Sequence, residues 1–222
     1  PTCHTAKQVA VGGNNFACVI LDNDEVVCWG NSVDRQLGNG YTSGSFYAMT
    51  SLGPLTYWTT DGYLSILAKQ IAVGQKHGCA ISTDGKVYCW GGSSNHWFSS
   101  LNNRKPNQIG LGTCGGSDCT AKQLSSGSFH ACVILNDDTL KCWGYNNNGQ
   151  LGVGSTSTAS TPTAVNLGTC GGSDCTAKQV SAGYHHTCVI LNDDTVKCWG
   201  DGSYGQLGYE DTTQRNSPPT AT

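Results

Sequence analysis

The chain is poor in charge: of its 222 residues only 12% are Asp, Glu, Lys or Arg, and the net charge is -3. A dense basic surface for nucleic acid is therefore excluded. No apolar run approaches the ~18 residues of a membrane-crossing helix, and there is no basic-then-apolar leader, so neither membrane insertion nor a retained signal peptide is expected. N-x-S/T triplets are absent, which removes N-linked glycans. Nucleophile elbow, phosphate loop and HExxH motifs are also missing. The expectation is a protein that is not an enzyme, with no cofactor, no catalytic residue and no metal.

What is present points to turn-rich β structure. Glycine contributes 30 residues, and Ser, Thr and Asn are abundant, a composition unsuited to long helices. Cysteine occurs 13 times at regular places, the usage of an oxidising compartment. An extracellular location, secreted or on the cell surface, is expected. Thirteen is odd, so one thiol has no partner within the chain.

Four stretches align: "KQVAVGGNNFACVILDNDEVVCWG" (Lys7 to Gly30), "KQIAVGQKHGCAISTDGKVYCWG" (Lys69 to Gly91), "KQLSSGSFHACVILNDDTLKCWG" (Lys122 to Gly144) and "KQVSAGYHHTCVILNDDTVKCWG" (Lys178 to Gly200). Their first cysteines lie 61, 53 and 56 residues apart, a period in the range of propeller blades. Each stretch alternates apolar and polar residues, which predicts strand, Gly turn, strand, tight turn, strand. With Cys79 opposite Cys89, Ser82 faces Lys86 and Thr83-Asp84-Gly85 is left as a three-residue hairpin loop closed by a residue at positive φ. Asp24, Asp138 and Asp194 take the place of Gly85 in the other repeats. Counting out from the turn puts the cysteines at a non-hydrogen-bonded site, where side chains stand closest. The register thus pairs Cys18 with Cys28, Cys79 with Cys89, Cys132 with Cys142, and Cys188 with Cys198. Each such bridge would stabilise its hairpin by roughly 2–3 kcal/mol.

The segment "LGTCGGSDCTAKQ" occurs twice, at 111–123 and 167–179. Cys114 with Cys119, and Cys170 with Cys175, would close these joints between repeats, and Cys3 remains unpaired or paired outside the chain.

The stretches "AGYHHTCVIL" (Ala182 to Leu191), "VKCWGDGSYGQLG" (Val196 to Gly208) and "LKCWGYNNNGQLG" (Leu140 to Gly152) resemble repeats of the regulator of chromosome condensation family. The resemblance covers nearly the whole chain and implies seven-bladed β-propellers. The cysteine-paired "C…CWG" form is similar to the subset in secreted bacterial and algal proteins, rather than to the nuclear exchange factor. Departures occur in the second repeat, where "GGSSNHWFSS" replaces the "GQLG" segment, and in the first, where "DRQLG" precedes a long insertion. The fold expected is all-β, with about four blades of antiparallel strands, incomplete or open relative to seven. One repeat domain is expected, divided at 1–68 (with an aromatic insertion at 41–67), 69–121, 122–177 and 178–222. Because "NSPPTAT" at the end and "PTCHTAKQ" at the start read as linker pieces, the chain is expected to be a window from a longer array.

His77, His130 and His186 share one slot with Phe16, which favours packing over metal binding. Zinc at C-x4-C spacing is set aside because each cysteine pair repeats with its own blade. Tyr41, Phe46, Tyr47, Tyr57, Trp58 and Tyr63, joined by Trp97 and Phe98, make a candidate partner surface. A self-packed loop or extra strand explains the same residues. Ser155, Thr156, Ser157, Thr158, Ser160, Thr161 and Thr163 are candidate O-glycan carriers, and a plain flexible linker explains them as well.

These features favour a non-enzymatic extracellular structural or interaction protein, a self-assembling fibre subunit that associates with itself head-to-tail or laterally. The alternative is a soluble propeller module that binds another extracellular protein or a glycan through its loops. Peptide mapping without reduction is expected to return Cys18–Cys28 and its three counterparts; a Cys18–Cys79 link would overturn the register.

Overall fold

The computed structural model describes residues 5–40, 45–46, 55–59, 62–92 and 105–219. Every regular element among them is a β-strand. The first blade comprises β1 (Ala6–Gly12), β2 (Phe16–Leu21), β3 (Val26–Asn31) and β4 (Ser45–Phe46), hydrogen-bonded in that order. A separate hairpin follows, β5 (Thr56–Thr59) with β6 (Gly62–Ser65). The second blade holds β7 (Ala68–Val73), β8 (His77–Ser82), β9 (Val87–Gly91) and β10 (Asn107–Ile109). A two-stranded joint, β11 (Thr113–Cys114) with β12 (Ser117–Asp118), leads into the third blade: β13 (Ala121–Ser126), β14 (His130–Leu135), β15 (Leu140–Gly144) and β16 (Ala159–Ala164). An identical joint, β17 (Thr169–Cys170) with β18 (Ser173–Asp174), precedes the three-stranded fourth blade, β19 (Ala177–Ala182), β20 (His186–Leu191) and β21 (Val196–Gly200). All pairings are antiparallel.

The central hairpins follow from turn chemistry. Gly85 stands at φ 86°, and Asp24, Asp138 and Asp194 at 68°, 64° and 66°. Asp tolerates this left-handed region better than most residues because its short side chain finds local partners. Here Lys7 pairs with Asp24 at 2.6 Å and Lys122 with Asp138 at 2.6 Å, and Lys178 pairs with Asp194. These exposed pairs are each worth at most about 1 kcal/mol. The hairpin closes through the N–H of Ser82 on the Lys86 carbonyl at 2.8 Å, and the same bond joins Leu135 to Thr139 at 2.9 Å. The Gly85 N–H closes the turn on the Ser82 carbonyl at 2.9 Å, and the strands leave it in the register that opposes Cys79 to Cys89.

The chain forms two compact units, Pro1–Gly110 with the first two blades and Leu111–Thr222 with the last two. Within each unit the blades pack face to face. In the first, Ile20, Val26 and Leu37 of one blade bury against Ile71, Tyr88 and Trp90 of the next. In the second, Ile134, Leu140 and Leu151 bury against Val180, Val189 and Trp199. A polar clasp fixes the slide of one face over the other. Gln8 accepts from the Ile71 N–H at 2.9 Å and donates to the Ile71 carbonyl at 3.0 Å. Gln123 accepts from the Val180 N–H at 2.9 Å, and Ser125 from the Ala182 N–H at 2.9 Å.

A second clasp forms at the "GQLG" turn. Trp90 donates its indole N–H to the Gln36 carbonyl at 2.9 Å, and Trp199 does the same to Gln150 at 3.0 Å. The indole rings lie on Gly38 and Gly152, both at positive φ. A Cβ on Gly152 would sit 2.6 Å from Cε2 of Trp199, so the turn needs glycine for its backbone and for the ring. Gly208 has the same φ class in the fourth blade, with nothing within 4 Å among the described residues. Gly152→Ala is expected to cost about 2–4 kcal/mol, strain plus overpacking, and Gly208→Ala about 1 kcal/mol from strain alone. Urea unfolding followed by tryptophan fluorescence measures both; equal losses would count against the ring contact.

Candidate functional site

One end of each blade repeats a backbone bond and varies its side chains. There the residue after the Trp-Gly pair donates its N–H to the carbonyl of the residue just before the slot of Phe16, His77, His130 and His186. The pairs are Asn31 with Asn15 at 2.9 Å, Gly92 with Lys76 at 2.8 Å, Tyr145 with Phe129 at 2.8 Å, and Asp201 with His185 at 2.9 Å. A constant main-chain frame thus displays amides on the first blade and a cation on the second. It displays two aromatics on the third and an imidazole with a carboxylate on the fourth.

In the second unit these side chains form one cluster. Phe129 meets Tyr145 edge-on with ring centroids 6.4 Å apart, and Tyr145 lies 6.2 Å from the His185 ring. Tyr184 packs edge-on against His185 at 4.5 Å and is 58% exposed. Burial pushes the His185 imidazole below its ordinary range, against the opposing pull of the Asp201 carboxylate. Asp201 itself is held below the usual carboxylate range, first by the Ser203 N–H. At neutral pH the cluster therefore offers aromatic faces, a neutral imidazole and one anion. That chemistry suits a protein partner with apolar or cationic groups. On the first unit the same end carries Lys76, 3.2 Å from the buried Asp34, to which Asn14 also donates at 3.2 Å.

Phe129, Tyr145, Tyr184 and His185 were not among the candidates read from the sequence. The legible signal was the variation itself: "SFH" and "YHH" before the slot, "WGY" and "WGD" after the strand, where the first blade has "NNF" and "WGN".

The candidates that were read fall elsewhere. Cys3, Tyr41, Tyr47, Trp97 and Phe98 lie outside the described residues. The backbones of Phe46, Tyr57, Trp58 and Tyr63 lie in β4, β5 and β6, with Trp58 opposite Tyr63 in the hairpin. Disulfides join Cys18 to Cys28, Cys79 to Cys89, Cys132 to Cys142, and Cys188 to Cys198, with Cα atoms 4.0–4.1 Å apart. Cys114–Cys119 and Cys170–Cys175 close the two joints. Ser155, Thr156, Ser157, Thr158, Ser160, Thr161 and Thr163 are all exposed, the last three on β16.

The histidine slot is a packing site. The rings of Phe16, His130 and His186 lie directly over Gly12, Gly127 and Gly183, where a Cβ would collide with them. The Thr187 hydroxyl gives its proton to the Gln150 carbonyl at 2.8 Å, so His130 Nε2, 2.9 Å away, must be the donor to Thr187. Among the described residues no three His, Cys, Asp or Glu side chains gather as metal ligands. A hollow of about 550 Å³ beside Ile66, Leu67 and Tyr88 contains one carboxylate, Asp84. Ser82 and Lys86 already engage it, at 2.5 Å and 2.9 Å.

Residues 6–36, 68–96, 121–150 and 177–206 match the model described as the regulator of chromosome condensation (RCC1) repeat, and 137–190 match a second model of that description. The chain is similar to the ultraviolet-B receptor UVR8 of Arabidopsis thaliana, 27% identical over 263 residues that cover 96% of this chain and 57% of that protein. In structure it is similar to human WBSCR16, with TM-score 0.78, 20% identity, and coverage of 98% of this chain and 53% of that one. Yeast Prp20, solved bound to Kap60, gives TM-score 0.67 and 19% identity, over 97% of this chain and 49% of that one. The chain spans about half the length of these three relatives.

Burial lowers the His77 pKa from 6.5 to about 3. The unfolded chain then binds the extra proton between these values, so stability is complete above pH 6.5 and is lost as pH falls towards 3. His77→Phe, which copies Phe16, removes this term. Wild type is expected to lose about 1.4 kcal/mol per pH unit relative to the variant across that window. Parallel pH profiles in urea unfolding would refute it.

Proposed function

Because the chain belongs to the regulator of chromosome condensation (RCC1) repeat family, we propose that it is a protein-binding propeller module, a binder rather than an enzyme. The observation that carries this reading is the constant backbone bond at the blade ends with side chains that change from blade to blade. A frame that holds position while its display varies suits recognition, since scaffold stability and partner choice then depend on different atoms. The Phe129, Tyr145, Tyr184 and His185 cluster is the contact surface. Rigid aromatics bury large area at low entropic cost, which makes them the common anchors of protein interfaces.

Solved proteins of this fold support a protein partner over a glycan. Yeast Prp20 is described bound to Kap60, and with binding properties towards Gsp1p and histones. Those partners are that protein's own. Six disulfides suggest an oxidising setting for this chain, and hence an extracellular partner. The sequence ranked a fibre subunit first and a binding module second. The family and the aromatic cluster favour the second.

The test compares immobilised wild type with a Tyr145→Ser, Tyr184→Ser double variant in the same extracellular protein extract. A protein retained by the wild type and held at least about tenfold more weakly by the variant is expected. Equal retention would move the site elsewhere, and retention of carbohydrate alone would overturn the protein reading.

A further inference from the structure

The six disulfides fall into two kinds by their access to solvent. In the hairpin bridges of the first three blades both partners are buried to 1% exposure or less: Cys18 with Cys28, Cys79 with Cys89, and Cys132 with Cys142. In each joint one partner is buried, Cys119 or Cys175, and the other, Cys114 or Cys170, is half-buried. The Gly-Gly-Ser-Asp turns between them, 115–118 and 171–174, are exposed throughout. Among the described residues no atom from elsewhere in the fold comes within 4 Å of a Cβ built on Gly115, Gly116, Gly171 or Gly172, so both turns are open to a reagent in solution.

Each joint also has a cation of its own. Lys141 donates to the Leu111 carbonyl at 2.7 Å and Lys197 to the Leu167 carbonyl at 2.8 Å. Both ammonium groups lie against the next residue, 3.2 Å and 3.4 Å from a Cβ built on Gly112 and Gly168. The carbonyl of that glycine receives the N–H of Cys119 at 2.9 Å, or of Cys175 at 2.8 Å. A positive charge is thus held beside the main chain that anchors the buried cysteine, with no carboxylate in ion-pair contact with it among the described residues. Tyr88 holds the same strand position in the second blade, where the preceding linker contains no cysteine.

We infer that the two joints are thiol-exchange sites, at which a small thiol becomes attached to Cys114 or Cys170. The incoming thiolate forms a bond to Sγ of the half-buried cysteine, the joint S–S bond breaks, and its electron pair leaves on Sγ of Cys119 or Cys175. The neighbouring ammonium stabilises that thiolate, and a stabilised leaving thiolate departs faster. Burial of Cys119 and Cys175 directs attack to the other sulfur. Opening the bridge costs the fold little, because it closes a sequence separation of 5 against 10 in the hairpins, and a shorter ring restricts the unfolded chain less. Thr113 paired with Asp118, and the Cys119 N–H on Gly112, hold the opened turn in place. The released thiolate therefore stays beside the mixed disulfide, and its return attack on Cys114 expels the small thiol and recloses the ring. This inference does not rest on the aromatic cluster.

Glutathione is the probe, applied to the intact oxidised chain and quenched at intervals with iodoacetamide for peptide mass spectrometry, with near-UV circular dichroism as the check on folding. Glutathione adducts are expected on Cys114 and Cys170 and alkylation on Cys119 and Cys175, before any hairpin cysteine of the first three blades is labelled and with the spectrum unchanged. The comparison excludes Cys188, which is half-buried. Lys141→Met is expected to slow exchange about three- to tenfold at Cys114, the effect of roughly one pKa unit on the leaving thiol, while Cys170 in the same molecule keeps its rate. Lys197→Met should reverse the two, and serves alone if Lys141→Met loses its near-UV spectrum. Hairpin cysteines labelled as fast as the joints, or adducts placed on Cys119 or Cys175, would overturn the proposal. So would a folded lysine variant whose two joints exchange at the wild-type rates.

Discussion

An indole N–H given to a glutamine carbonyl across a glycine turn is the constraint on which the rest depends. Trp90 and Trp199 each lock one blade onto the turn of the blade before, at Gln36 and Gln150. The bond is buried, so a turn that moved away would leave a donor and an acceptor without water, a cost well above the net value of the bond. The glutamine side chain braces its own turn as well, since Gln36 accepts from the Asp34 N–H at 2.8 Å and Gln150 from the Asn148 N–H at 3.0 Å. The leucine between glutamine and glycine is buried in the same apolar cluster as the indole, Leu37 with Trp90 and Leu151 with Trp199.

With blade spacing set this way, the hairpin disulfides act within blades rather than between them. Cys132 and Cys142 are neighbours on adjacent strands, and their bond restricts the unfolded hairpin more than it shapes the folded face. The polar clasps of Gln8 and Gln123 add direction to an apolar contact that would otherwise slide. Stability and geometry therefore have separate sources: covalent closure inside each blade, and indole and glutamine bonds between blades. That separation leaves the blade ends free to vary, which is why Asn15, Lys76, Phe129 and His185 can occupy one position.

How much of this could be read in the chain depended on distance along it. Strand, turn and strand of each central hairpin lie within about two dozen residues, so alternation and one positive-φ position suffice to oppose Ser82 and Lys86. The histidine slot was legible as packing because Phe16 shares it. The aromatic cluster was not, because Tyr145 and His185 come from different blades and meet only after those blades pack. Aromatic density along the sequence is highest in the 41–67 insertion instead, and a count along the sequence does not show which rings face one another.

By itself the sequence determined the family and the all-β blades, because repeat period, turn residues and the Trp-Gly and "GQLG" motifs are local or recur at a fixed interval. Only the tertiary structure decided which surfaces are occupied. Val9 and Ile71 hold the same place in near-identical strands, yet one is exposed and the other buried. The difference is the neighbouring blade, and burial is a property of what lies across the face, not of the residue that forms it.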